Sequence, residues 1–153
     1  MTITPATPSD IPALTTLLGQ LFTQEAEFTP DPTAQSRGLA LIIGNPALGQ
    51  ILVARQGNSI VGMVNLLYTV STALGAPVAL LEDLIVDPAF RGAGIGGELL
   101  RAAIRQARLH GCQRLTVLTD HDNAGAHRLY TRHGFQGSAM VPLRLLLNPV
   151  TGC

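Results

Sequence analysis

The sequence contains no lysine, only two cysteines, and no uninterrupted apolar stretch long enough to cross a membrane. Without lysine, the phosphate-binding motif of nucleotide triphosphatases, which needs a Lys followed by Ser or Thr, is excluded. Cys112 and Cys153 give no disulfide framework, and neither stands in a motif that activates a nucleophilic thiol. We therefore expect neither a disulfide scaffold nor a cysteine nucleophile. We expect the protein to reside in a reducing compartment.

The chain also lacks an excess of charge of either sign. Ten arginines balance ten acidic residues, which gives a formal net charge of zero, whereas nucleic-acid-binding proteins usually show a basic excess. The N-terminus has no basic segment followed by a continuous apolar one, so no signal peptide is predicted. We expect a cytoplasmic protein with neither a nucleic-acid nor a membrane partner, folded as one domain over residues 1–153.

The spacing of apolar residues predicts alternating strands and helices of an α/β protein. The predicted helices cover residues 10–24, 33–43 and 94–110, with a short fourth helix that ends at Gly134. The predicted strands cover residues 2–4, 50–55, 59–69, 77–87, 114–119 and 140–147. The strand–helix–strand unit over residues 80–119 is expected to be a right-handed parallel crossover.

A strand, a glycine-rich turn and a helix follow one another between residues 80 and 100. The turn reads Arg-Gly-Ala-Gly-Ile-Gly-Gly over residues 91–97. The first turn of a helix leaves N–H groups without partners, and glycines let an anion approach the backbone closely. Arg91 adds a fixed cation, and the glycine spacing does not fit a dinucleotide fingerprint. The segment predicts a site for a phosphate-bearing ligand, with a glycine-rich turn that binds nothing as the alternative.

Two carboxylates stand inside the strand that precedes this turn. The strand is apolar on both faces, which indicates that it is covered on both sides, and a carboxylate there is costly unless it is paired or opens onto a cavity. Strict alternation puts Glu82 and Asp83 on opposite faces. We therefore predict chemistry at this point. The alternative is an end-of-strand salt bridge, which suits Asp83 better than Glu82.

A second motif runs over residues 123–135 and reads Asn-x-x-Ala-x-x-Leu-Tyr-x-x-x-Gly-Phe. It describes a capped short helix with a Tyr on one face and a glycine at its end. Together with Arg-x-x-Gly-x-Gly over residues 91–96, and with the order of elements along nearly the whole chain, it resembles the GNAT superfamily of N-acetyltransferases. Residues 81–86 bear a weaker resemblance to the diamine and thialysine acetyltransferase branch.

The resemblance implies a mixed central sheet of about six to seven strands with helices on both faces. This sheet would splay between its fourth and fifth strands, with acetyl-coenzyme A as cosubstrate in the gap. Backbone groups of residues 84–86 would bind the pantetheine arm, residues 91–97 the pyrophosphate, and Tyr130 would act as general acid. The implied cofactor-binding residues are Leu84, Ile85, Val86, Arg91, Gly92, Ala93, Gly94, Ile95, Gly96, Gly97 and Asn123.

The predicted reaction is acetyl transfer to the primary amine of a small molecule by direct attack on the thioester, without a metal. An alkylammonium has a pKa of about 10.4, so its deprotonation at pH 7 costs about 4.6 kcal/mol and calls for a proton acceptor. Glu82, directly or through water, is the candidate base, and His121 is its competitor. The residues predicted to contact the acceptor are Glu25, Glu27, Phe28, Asp83 and His121.

Other functions remain open from the sequence. The acceptor could be a protein N-terminus or a lysine side chain, and a non-catalytic acyl-coenzyme A sensor is a further alternative. The presence of both Glu82 and Tyr130 argues against a sensor, because binding alone needs neither. The acidic segment at residues 24–32 could equally be a solvated loop. The apolar residues 141–147 are compatible with a homodimer, although core packing explains them equally well.

Overall fold

The computed structural model describes residues 1–24 and 29–148, in which five strands and four α-helices are formed. The strands are β1 (Thr2–Pro5), β2 (Gly49–Gln56), β3 (Ser59–Ser71), β4 (Ala76–Val86) and β5 (Leu115–Val117). The helices are α1 (Ile11–Gln24), α2 (Pro32–Ile43), α3 (Ile95–Leu109) and α4 (Ala124–Arg132). None of the helices in this part of the chain combines the length and hydropathy that a membrane span requires.

The chain divides into two compact units, Met1–Asp122 and Asn123–Cys153. The first unit contains the whole sheet, in the order β1-β2-β3-β4-β5. Neighbouring strands are antiparallel from β1 to β4, and β5 is parallel to β4. Within the described residues, β5 pairs with β4 only at Ala79–Leu81, while β3 pairs with β4 as far as Val86. One backbone edge of β4 is therefore open from residue 82 onward.

Helices cover both faces of the sheet because its strands are apolar on both. Buried leucines of α1 and α2, Leu14 and Leu39 among them, form one core with Met63 of β3 and Ile85 of β4. Gly62 points to the opposite face, where a Cβ would lie 2.9 Å from a methyl carbon of Leu99 in α3. The helix α3 can therefore pack closely on β3 only because residue 62 is glycine.

The prediction of six to seven strands is not confirmed, because the described residues form five. Residues 140–147 were expected to be a strand but form no regular structure, and Leu143 is 93% exposed. Pro142 removes a ladder donor from the middle of this segment. Its apolar pattern is suitable for a strand, but a strand also needs a neighbouring edge, which local sequence does not specify. β5 is also shorter than the predicted 114–119.

An ion pair joins the start of α1 to β2. The Arg55 guanidinium donates to both carboxylate oxygens of Asp10, at 2.6 and 3.0 Å, and Asp10 is only 7% exposed. The Thr7 backbone N–H donates to the same carboxylate at 2.8 Å. The hydrogen bond from Arg55 holds the pKa of Asp10 below its ordinary value, since these donors favour the ionised form.

Replacing Asp10 with Asn should lower the free energy of unfolding at pH 7 by about 1.5–3 kcal/mol, because the Arg55 guanidinium loses its charged acceptor. The pKa of Asp10 is lower in the folded than in the unfolded protein. The contribution of the ionised Asp10 to the free energy of unfolding is therefore complete at pH values above the ordinary pKa of 3.8. This contribution is lost as the pH falls through the lower pKa of the folded protein. Urea unfolding at pH 7 and pH 3 measures both effects, and the stability gap between the two pH values should narrow in Asp10→Asn.

Glu98→Gln is the matched control. The Glu98 carboxylate also pairs with an arginine at 2.7 Å, but both side chains are 49% exposed, so its loss should change the stability by less than about 0.5 kcal/mol. If Asp10→Asn and Glu98→Gln lower the free energy of unfolding equally at pH 7, the stabilising role assigned to the Asp10–Arg55 pair is contradicted.

Candidate functional site

The open part of β4 contains a β-bulge opposite Val64 of β3. There, Asp83 and Leu84 of β4 face a single residue of β3, because the register shifts between the two flanking pairs. The flanking pairs are Met63 with Ile85 and Asn65 with Glu82. Asp83 has a φ of 56°, and it is the one non-glycine residue with positive φ in the described chain. Aspartate tolerates this left-handed conformation better than most residues, but the surrounding ladder must hold it there.

The bulge brings the Asp83 carboxylate to the residue of β3 with which Glu82 is paired in the ladder. The Asn65 side-chain Nδ2 donates to Asp83 Oδ2 at 3.3 Å, and Glu82 lies in register with Asn65. The expectation that Glu82 and Asp83 occupy opposite faces is therefore wrong. Strict alternation of faces holds only along a strand without an inserted residue.

The two carboxylates differ in exposure and acidity. Glu82 is exposed, whereas Asp83 is partly buried. Burial raises the pKa of Asp83 to about 6, against the opposing effect of the hydrogen bond from Asn65 and with a further increase from the nearby Glu82 charge. Asp83 is therefore an acid that can hold or release a proton close to neutral pH.

The glycine-rich turn lies at the end of β4 and leaves the start of α3 without a cap. Arg91 Nε donates to the Val86 carbonyl oxygen at 3.2 Å, which fixes the guanidinium stem to the strand end. Gly94, with a φ of 80°, is the N-cap residue of α3, and within the described chain no side chain bonds to this helix start. By contrast, Asp31 and Asn123 cap α2 and α4. The first N–H groups of α3 and Arg91 thus suit an anionic ligand.

In the second unit, the motif of residues 123–135 forms the helix α4 and its end. Asn123 Oδ1 accepts the Ala126 N–H at 3.1 Å and so caps the helix. Tyr130 is buried, and its ring centre lies 5.5 Å from that of Phe135. The Phe135 N–H also donates to the Tyr130 carbonyl oxygen at 3.1 Å. The glycine and aromatic residues of the motif thereby close the helix next to the tyrosine.

The remaining predicted residues are less informative. His121 is exposed in a turn after β5, while Glu25, Glu27 and Phe28 lie outside the described residues. In the part of the chain that is described, no group of three His, Cys, Asp or Glu side chains could hold a metal ion. Sequence reasoning missed Asn65. Its signal was a single amide in an otherwise apolar strand, at residues 60–67.

The mixed sheet with an open strand edge, followed by a glycine-rich turn and a helix start without a side-chain cap, has the arrangement expected of an acyltransferase fold. The chain belongs to the Acetyltransferase (GNAT) family, whose model matches residues 13–135. Two relatives named as N-acetyltransferases support this assignment, and a crystal structure shows a similar fold.

The uncharacterized N-acetyltransferase YhfO of Bacillus subtilis is 36% identical over 86 residues, which cover 56% of this chain and 58% of that protein. The chain thus matches little more than half of that relative's length. The aminoalkylphosphonate N-acetyltransferase of Salmonella typhimurium is 29% identical over 133 residues, which cover 87% of this chain and 83% of that protein. The integron cassette protein HFX_CASS3, from the mobile metagenome of Cole Harbour Salt Marsh, superposes with a TM-score of 0.83 at 28% identity, covering 97% of this chain and 91% of that chain.

Replacing Gly94 with Ala should lower the free energy of unfolding by about 1–2 kcal/mol. A Cβ there meets no atom within 4 Å, so the cost comes from the left-handed backbone at φ 80° and not from a clash. Gly38→Ala is the control, because Gly38 lies inside α2 with open space around it and should gain about 0.5–1 kcal/mol. Urea unfolding measures the free energy of unfolding of both variants. If the two substitutions change this free energy in the same direction, the left-handed conformation assigned to Gly94 is contradicted.

Proposed function

We propose that this protein transfers the acetyl group of acetyl-coenzyme A to the primary amine of a small molecule. The observation that carries the proposal is the start of α3, without a side-chain cap, beside Arg91 and at the end of a strand that carries Asp83 in its bulge and Glu82 next to it. Membership of the GNAT family supports acetyl transfer. The relative that acts on an aminoalkylphosphonate, as its name states, supports a small amine as the acceptor.

Residues at the end of β4 and the start of α3 would hold the cosubstrate. The N–H groups of residues 94–97 and the Arg91 guanidinium match the charge of a pyrophosphate, and the loop from Arg91 to Gly94 is exposed. Backbone groups of residues 84–86 lie on the part of β4 that β5 leaves unpaired, and they would bind the pantetheine arm. Asn123 is proposed to contact the same arm. When bound, acetyl-coenzyme A supplies an acetyl group activated as a thioester.

The carboxylates of Glu82 and Asp83 would bind the acceptor amine in its cationic form. Glu82 is proposed to take the proton from the ammonium, directly or through water, and Asp83 to bind the same group. His121, an exposed residue of the turn after β5, is the alternative base. Removing this proton frees the nitrogen lone pair for attack on the thioester carbonyl carbon.

Two further groups would act on the charges that develop. A backbone N–H of residues 84–86 would stabilise the negative charge on the carbonyl oxygen. Tyr130 would donate its phenolic proton to the departing sulfur. Tyr130 enters the proposal through the motif in which it stands, together with its burial against Phe135.

The test is thiol release from acetyl-coenzyme A across a panel of amines that includes 2-aminoethylphosphonate, alkyl diamines, amino acids and a lysine-containing peptide. Tyr130→Phe and Glu82→Gln should each lower kcat by about 10²- to 10⁴-fold on the preferred amine, since each removes a proton-transferring group. Tyr68→Phe is the matched control. Tyr68 stacks on His110 at the C-terminal end of α3, with ring centroids 3.6 Å apart, and the substitution keeps this aromatic ring. Tyr68→Phe should therefore leave kcat unchanged.

Each outcome bears on a different part of the proposal. Absence of thiol release with every amine would contradict acetyl transfer to amines. Release with the peptide alone would contradict the small-molecule acceptor. Turnover that is insensitive to Tyr130→Phe would remove the general acid and leave the rest standing.

A further inference from the structure

Asn65 is a buried amide whose nitrogen is hydrogen-bonded and whose oxygen is not. It is 3% exposed on β3, on the face that also carries Met63, and it lies in register with Ile51 of β2. Its Nδ2 donates to Asp83, whereas its Oδ1 is buried and accepts no hydrogen bond from any described residue. A buried acceptor without a donor is unfavourable, and a Leu at this position would avoid the penalty. The amide is therefore better explained by its partner than by packing.

That partner exists in two protonation states, and an amide is suited to both. When Asp83 is ionised it can only accept, and Nδ2 is the donor that it meets in the structure. When Asp83 is protonated it carries an O–H donor, and a half-turn of the amide brings Oδ1 to that place as the acceptor. The orphaned oxygen is thus the group that the neutral acid needs. Asp83 can take up a proton without leaving its own new donor unpaired.

Among the described residues, few charged groups lie on the elements around Asp83. On β4, Glu82 is adjacent and raises its proton affinity. The helix α1, which packs on the same face of the sheet, contains no charged residue from Ile11 to Gln24, and β5 contains none either. The opposite face is covered by α3, whose charged side chains are Glu98, Arg101, Arg105 and Arg108. Asn65 is the one side chain within the described residues that hydrogen-bonds to Asp83.

We propose that Asn65 is the positioning residue for Asp83, and that Asp83 acts as a proton acceptor beside Glu82 when the amine is deprotonated. The inference rests on the proposed acetyl transfer and adds a residue pair to it. One N–H bond of the ammonium breaks, its proton forms an O–H bond on the Asp83 carboxylate, and the lone pair stays on the amine. The exposed Glu82 takes the proton from the ammonium and Asp83 receives it, so the loss of Glu82 still interrupts the transfer. Asp83 is the carboxylate with a side-chain partner for both of its protonation states.

The pairing can be tested without turnover, by NMR of the protein in the absence of acetyl-coenzyme A. The side-chain ¹⁵N–¹H resonances of Asn65 should move between pH 5 and 8 with the same midpoint, about 6, as the ¹³C resonance of the Asp83 carboxyl. In Asp83→Asn they should no longer move. Gln35 provides the control. This amide is also buried, but it bonds to the backbone of Thr15 and Asp31, so its resonances should stay constant.

Asn65→Leu tests the catalytic consequence. Losing the donor to the ionised carboxylate raises the pKa of Asp83, so the acid limb of kcat/KM should move to higher pH. For an increase of about one pH unit, kcat/KM falls roughly threefold at pH 6.5 and is unchanged at pH 8.5. Leu suits the apolar face, so the variant should fold. A merely structural role would lower kcat/KM by the same factor at every pH.

Asn65 resonances that stay constant through pH 6, or that still move in Asp83→Asn, would overturn the pairing. A loss of activity in Asn65→Leu that is independent of pH would overturn the catalytic role. Failure of the proposed function looks different, because the natural protein would then release no thiol with any amine while the resonances of Asn65 and Asp83 still titrate together.

Discussion

The antiparallel ladder between β3 and β4 is the constraint on which the rest of the structure depends. It runs from Ser71 and Ala76 at one end to Gly62 and Val86 at the other, and helices cover both of its faces. Because β5 accompanies β4 for only three residues, β3 is the one strand in the described chain that pairs with β4 beyond Leu81. The bulge and the attachment point of Arg91 are both defined by this one pairing. A change in its register would move every group of the candidate site at once.

The candidate site collects the local features that an ordinary strand or helix avoids. Asp83 has a left-handed backbone, Asn65 has a buried oxygen without a donor, and α3 begins without a cap. Each is individually unfavourable, and all three lie on or beside residues 83–94. The buried Asp10–Arg55 pair shows the opposite behaviour, since every polar atom of that carboxylate has a donor. The unpaired N–H groups at the start of α3 thus lie where an anionic ligand could satisfy them.

Most of the fold follows from periodicity, because helix and strand patterns are local. The bounds of α1, α2 and α3 agree with the predicted ones within a residue or so, and the glycine-rich turn lies between β4 and α3 as its sequence indicates. The bulge could not be predicted, since an inserted residue looks the same as any other in an apolar strand. Asn65 was missed for a related reason. Its importance comes from a residue 18 positions away that only the ladder brings to it.

The separation of charges along β4 explains why opposite charges in one small site do not neutralise each other. Asp83 and Val86 are three residues apart, which is about 10 Å of extended strand. The bond from Arg91 to the Val86 carbonyl keeps the guanidinium at the far end, and no described ion pair joins it to Glu82 or Asp83. A cation can therefore bind at the bulge and an anion at the turn without competing with an internal salt bridge. This arrangement suits two oppositely charged substrates that must react side by side along a single strand.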